Sequence, residues 1–261
     1  MAARIIAIAN QKGGTGKTAT TANLGIGLAR IGKRVLLVDA DPQGDLTKSL
    51  GLGDPDAIEV TLASHVENIV NDTPLDPIAG IVRSDENVDL MPADIRLANT
   101  EASLFLAMNR ERVLSSWLAG LRGGYDYILI DCMPSLGMLP VNAFTAADSV
   151  LITVSAEYLP VVAMTALLKT IDRVRNQINP GLRVEGALLT LFDGRTRIAR
   201  KVEGLLRSEY GARMRVFETC IPRAVSASEA PSAGMSIFAY DPNGKVAAAY
   251  ARLCEEVLCG D

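Results

Sequence analysis

The sequence predicts an α/β fold, with a mostly parallel twisted sheet flanked by helices on both faces. Three observations point there. Short, continuously apolar, β-branched runs alternate with segments of helical periodicity along the 261 residues. The first forty residues read strand, glycine-rich loop, helix, strand, which is a βαβ unit. The glycine-rich loop itself sits between a strand and a helix, where a sheet of this kind binds phosphate.

The elements follow in order. RIIAIAN (4–10) reads as a buried parallel strand, and KTATTANLGIGLARIG (17–32) as a helix closed by Gly32. RVLLVD (34–39) is the next strand. The polar stretch 51–89 is the least regular part and reads as a surface excursion. VDLMPA (88–93) is a strand, followed by one long helix over about 94–121. YDYILID (125–131) and SVLITVS (149–155) are strands, with a helix over about 161–176. RVEGALLTLF (183–192) is a strand, a basic helix runs to about 210, and MRVFET (214–219) is a short strand. The last helix spans 242–260. With no internal repeat, low-complexity tract or Pro/Ser-rich linker, residues 1–261 are expected to form one domain.

Composition narrows the function classes. The chain is 49% hydrophobic and 21% charged, ordinary globular values, with a net charge of −4. Cys132, Cys220, Cys254 and Cys259 form no CxxC pair, and His65 is the only histidine. Free thiols in a reducing cytoplasm are expected rather than a disulfide framework or a zinc site. No export leader precedes the first strand, and no apolar run approaches the roughly 18 residues of a membrane span.

GGTGKT (13–18) carries the chemistry. Gly13, Gly14 and Gly16 permit backbone conformations and close approaches that a Cβ would block. The N–H groups from Gly13 through Thr15 and on to Ala19 can then face phosphate oxygens, with the helix dipole behind them. Lys17 supplies a charge between the β- and γ-phosphates, and Thr18 a hydroxyl for Mg²⁺. A P-loop NTPase that uses ATP is the expectation. Asp39 and Asp41, in LLVDADPQGDLT, end a strand pointed at that loop, so one carboxylate can serve the Mg²⁺ shell while the other orients water. Asp131 ends the apolar strand of YDYILIDCMPSLG, the pattern of an acid that holds Mg²⁺ through water, and Gly137 is placed to offer an N–H to the γ-phosphate.

The full string KGGTGKT, headed by Lys12, resembles the deviant Walker A box of the ParA/MinD family of ATPases. The resemblance covers the whole chain. GKRVLLVDADPQG, YDYILIDCMPSLG, LLTLFDGRT and IPRAVSASEAPSAGMSIFAYDP are similar to the ParA/Soj branch of partition ATPases. It implies that Lys12 reaches across an ATP-sandwich homodimer to the partner's ATP, joining Lys17 and Asp41 as catalytic residues. It implies that Asp41 positions the attacking water, that Asp39 lies nearer the outer shell of the metal, and that Pro222 borders the adenine. Two positions depart from the family pattern. Met133 replaces the first proline of DxPPSLG, and Ser226 stands where many members carry a DNA-contacting arginine.

Charge is unevenly spread. Residues 193–223 hold eight Arg/Lys against four acids, a segment at +4 in a remainder at −8. Phosphate contacts from such a patch give nonspecific, salt-sensitive DNA binding. The resemblance points the same way and marks Arg195, with Arg197, Arg200, Lys201 and Arg223 beside it. It further implies a nucleoid-associated cytoplasmic protein, released from double-stranded DNA when a ParB-like centromere-binding protein stimulates hydrolysis. No helix-turn-helix extension precedes the first strand, so no operator is expected to be bound. The tail RLCEEVLCGD is acidic, against a MinD-like membrane helix. Three rivals stay open: membrane cycling of MinD type, a synthetase that activates a carboxylate with ATP, and positioning of a non-DNA cargo.

Overall fold

The computed structural model describes residues 2–54, 57–105, 107–156 and 161–260, and the side chains of all of these except 161–163. Residue 106, within the expected 94–121 helix, and Asp261, at the end of the acidic tail, lie outside the described residues.

β1 (Arg4–Ala9) runs into the glycine loop and α1 (Lys17–Arg30). β2 (Val35–Ala40) is followed by the short α2 (Asp45–Ser49), α3 (Leu62–Val70) and the two-residue β3 (Val82–Arg83). β4 (Asp89–Met91) leads to α4 (Arg96–Leu104) and α5 (Val113–Ala119). β5 (Tyr127–Cys132), α6 (Met138–Ala146), β6 (Ser149–Ser155) and α7 (Val161–Gln177) come next. The chain closes with β7 (Arg183–Phe192), α8 (Arg197–Tyr210), β8 (Val216–Pro222), α9 (Ser226–Ser232), α10 (Ile237–Tyr240) and α11 (Lys245–Leu258).

The strands form one eight-stranded sheet in the order β3-β4-β2-β5-β1-β6-β7-β8. All neighbouring pairs are parallel except β3 with β4. β2 and β5 are buried at every position, the signature of a sheet covered on both faces. One core joins the sheet to α3, α5, α6 and α7, and a second joins it to α1, α10 and α11. Fully burying each large aliphatic side chain in these layers contributes about 1.5–3 kcal/mol. β1 lies centrally between β5 and β6, so the loop that follows it opens at the carboxyl edge of the sheet.

The structure departs from the sequence expectations in places with local causes. The single helix expected over 94–121 is two helices. Asn109 takes a left-handed turn (φ 54°), and the buried Asn142 pins the break by donating to Arg110 O (2.7 Å) and accepting from Leu114 N–H (3.2 Å). The expected excursion over 51–89 contains α3, started by a Thr61/Ser64 capping box, and the antiparallel β3. The last strand is shifted to Val216–Pro222, because Phe217, Thr219 and Ile221 are the residues that face inward. α11 begins at Lys245, since Pro242 to Gly244 form a turn closed by Gly244 N–H to Asp241 O (3.0 Å). α6 gave no amphipathic signal because nearly all its residues are buried.

Candidate nucleotide-binding site

The loop after β1 is shaped by its glycines and held by its neighbours. Gly14 (φ 69°) and Gly16 (φ 77°) are left-handed, and Gly16 is the N-cap of α1, a conformation that costs any residue with a Cβ. Three flanking residues fix the loop from the adjoining strands. Asn10 donates from Nδ2 to Thr153 O (2.5 Å) and accepts Lys12 N–H (2.9 Å). Thr15 Oγ1 pairs with Thr153 Oγ1 (3.0 Å), and Thr190 Oγ1 donates to Thr15 O (2.8 Å). Sequence reasoning missed Thr153 and Thr190, because nothing local marks a strand-end threonine as a buttress.

Lys17 is buried, and its Nζ donates to Lys12 O at 3.3 Å, within the mouth of the loop. Lys12 is exposed at the outer edge. A cavity of about 680 Å³ opens over the loop. Gly13, Gly14, Thr15, Gly16, Lys17, Thr18 and Ala19 line it. Asp41, Gln43, Lys48 and Pro134 add polar and loop residues to the wall. Ala227, Ala230, Pro231, Met235 and Tyr250 add apolar ones. The volume and the mixture of polar and apolar lining suit a nucleoside phosphate. Lys12, Gly137 and Pro222 are not in this wall. Pro222 pairs with Phe192 at the edge of the sheet, and the apolar wall comes instead from α9, which the SEAPS string encodes.

The acids form a second layer. Asp39 and Asp131 are register partners on β2 and β5, and both are buried. Thr47 donates its N–H (2.9 Å) and hydroxyl (2.7 Å) to Asp39 Oδ2, and Asp41 N–H approaches Asp39 Oδ1 (3.2 Å). Thr47 Oγ1 also accepts Ala93 N–H (3.2 Å), so it ties the Asp39–Asp41 segment to the end of β4. Burial raises the Asp39 carboxyl to about 6, against the Thr47 hydrogen bonds that lower it. Burial, then the neighbouring Asp39 charge, raises Asp131 to about 8, opposed by the Thr18 hydroxyl and Lys17. Asp41 is half-buried in the cavity wall and is also shifted upward by burial. Gly137 donates its N–H to Ser135 Oγ (3.2 Å) as N-cap of α6.

The donor set fits Mg²⁺. Asp131 Oδ2 is buried with no hydrogen-bond partner, next to the Thr18 hydroxyl, so a hard cation or its water would satisfy it. No group of three or more His, Cys, Asp or Glu that could cage a metal occurs among the described residues.

The basic residues gather at one sheet edge. Phe192 and Pro222 end β7 and β8 side by side, and Arg223 N–H donates to Phe192 O (3.2 Å). Arg195, Arg197, Arg200, Lys201 and Arg223 are all exposed there. Arg195 is paired with Asp193 (2.8 Å). Arg207 is paired with Glu203 and Glu218, and Arg215 with Glu256, so these two add little net charge to the patch. No helix among the described residues is long and apolar enough to cross a membrane.

Comparison with known proteins agrees with this geometry. A family model described as an AAA domain matches residues 3–184. The sporulation initiation inhibitor protein Soj of Bacillus subtilis is 45% identical over 258 residues, covering 97% of this chain and 98% of that protein. The chromosome partitioning protein ParA of Caulobacter vibrioides is 40% identical, covering 98% and 94%. A solved structure of cobyrinic acid a,c-diamide synthase from Mycobacterium smegmatis, with bound ADP and magnesium, superimposes with a TM-score of 0.86 at 39% identity, covering 98% of this chain and 94% of that one. A phosphate loop carrying Lys17 and Thr18 under a cavity that Asp41 also lines, on this strand order and with relatives matched over nearly their whole length, places the chain in the ParA/Soj family of chromosome-partitioning P-loop ATPases.

Proposed function

We propose that this chain is a DNA-partition ATPase that works as an ATP-sandwich dimer. The position of Lys12 carries the reading. Lys17 already supplies the cation of its own cavity, whereas Lys12 is exposed at the loop edge and outside that wall. A cation there is placed for phosphates presented by a second copy, where it would offset charge developing during transfer. Within each site the amides of residues 13–19 and Lys17 hold the phosphates. Thr18 and Asp131 would hold Mg²⁺, which supplies charge neutralisation at the β- and γ-phosphates. Asp41, in the cavity wall, orients the attacking water, and Asp39 braces Asp41 from below.

The exposed cations at the β7–β8 edge support nonspecific binding of double-stranded DNA, and the name of the Caulobacter relative supports chromosome partition. A ParB-like partner that stimulates hydrolysis belongs to the same reading through the resemblance of the motifs. Co-sedimentation with random-sequence DNA tests this. Binding that needs ATP and is lost with ADP supports it, and nucleotide-independent binding contradicts it. A second reading, ATP-driven activation of a carboxylate, is favoured by the name of the Mycobacterium smegmatis neighbour. Turnover that is insensitive to DNA but rises with a carboxylate and an ammonia donor would select it.

A further inference from the structure

Asp41 leaves β2 on a turn that the chain ties to itself. Asp41 O accepts Gly44 N–H (3.0 Å), and Asp41 Oδ1 accepts Gln43 N–H (3.0 Å). Gly44 is left-handed (φ 64°) and starts α2, whose Lys48 N–H donates back to Gly44 O (3.0 Å). One side chain closes the circuit: Lys48 donates from Nζ to Gln43 O at 2.7 Å. Gln43 is therefore held on both sides, its N–H by the Asp41 carboxylate and its carbonyl by the Lys48 ammonium. Asp41, Gln43 and Lys48 all line the nucleotide cavity. Lys48 is also among the charges, with Asp45 and Lys17, that act on the Asp41 carboxylate.

Gln43 and Lys48 are exposed and Asp41 is half-buried, so packing alone does not fix the outer arm of this turn. Its hydrogen bonds do, against the backbone entropy of an open loop. A carboxylate on the turn aims at a water only as well as the turn is held, and a misplacement of about 1 Å costs up to roughly 100-fold in rate. We propose that Lys48 is a positioning residue for hydrolysis: by clamping the Gln43 carbonyl, it fixes the turn that presents the Asp41 carboxylate to the attacking water. This rests on the reading above, in which Asp41 orients that water. The cavity then holds two lysines with separate tasks. Lys17 meets the phosphates, and Lys48 acts through Gln43 on Asp41.

The test measures hydrolysis of ATP with Mg²⁺ by the full chain. Lys48→Met keeps the stem and removes the donor. Its kcat is expected to fall about 3- to 10-fold, the worth of one hydrogen bond to this turn, with KM for ATP within about twofold of wild type. Its Tm is expected within about 2 °C of wild type, because the side chain is exposed. Lys48→Arg, which can still donate to the carbonyl, is expected to recover most of the loss. Adding Lys48→Met to Asp41→Ala is expected to cause no further fall in the single-turnover rate, since the effect passes through Asp41. A wild-type kcat in Lys48→Met, or a full additional loss on the Asp41→Ala background, would overturn the proposal. A rise in KM alone would also overturn it and make Lys48 a direct phosphate ligand. Wild-type turnover by Asp41→Ala alone would instead overturn the reading of Asp41 on which the proposal stands.

Discussion

Asp39 and Asp131 stand side by side on adjacent parallel strands, both almost completely removed from solvent. Two buried carboxylates in register are costly unless a proton or a cation joins them. This pair makes the nucleotide-free chain sensitive to pH. Their folded pKa values, about 6 and about 8, lie above the unfolded carboxylate value, so the native state binds more protons than the unfolded state between about pH 4 and pH 8. Stability therefore falls as pH rises through that window. Thermal melts in EDTA should show a lower Tm at pH 8 than at pH 6, apart from the contributions of other groups. Mg²⁺ with nucleotide should restore more stability at pH 8 than at pH 6. A Mg²⁺-nucleotide gain that is independent of pH would contradict the pairing.

Thr47 holds Asp39 with two hydrogen bonds and reaches Ala93 with a third. Thr47→Val keeps the shape and removes the hydroxyl. A loss of about 1–3 kcal/mol in unfolding free energy is expected, because a buried acceptor and a buried N–H lose their partner. Turnover should fall more than nucleotide affinity, since Asp39 braces Asp41 rather than the phosphates. Denaturant melts and steady-state kinetics measure the two effects.

Asp41→Ala should bind ATP and DNA and turn over poorly, because the phosphates are held by the loop and Lys17 while water positioning is lost. Hydrolysis at the wild-type rate would remove Asp41 from its assigned role.

Arg195 and Arg200 are exposed at the β7–α8 corner. The double variant Arg195→Ala/Arg200→Ala should weaken DNA binding and flatten the dependence of log K on log salt by about 1–2, one for each lost phosphate contact. ATP affinity should be unchanged. An unaltered salt slope would move the DNA surface elsewhere on the molecule.

Much of this was legible in the sequence because the signals are local. The strand–glycine loop–helix string fixes where phosphates bind, and an acid at the end of an apolar strand marks Asp131 and Asp39. The two arms of the site that come from far along the chain were not legible. The α9 wall of the cavity and the Thr153 and Thr190 buttresses depend on strand order and helix packing, which no window of sequence encodes. α6 escaped because a helix buried all round has no polar face to give it a period. The broken helix at Asn109 escaped because its partner, Asn142, lies more than thirty residues away.

The central claim is that ATP sits between two copies of the chain, joined through Lys12. Sedimentation velocity with Mg²⁺ and ATP, on an Asp41→Ala background that slows hydrolysis, tests it most directly. The account predicts a dimer with ATP, a monomer with ADP, and a monomer in both when Lys12→Ala is added while nucleotide is still bound. A dimer that persists unchanged in Lys12→Ala, or that forms equally with ADP, would contradict it.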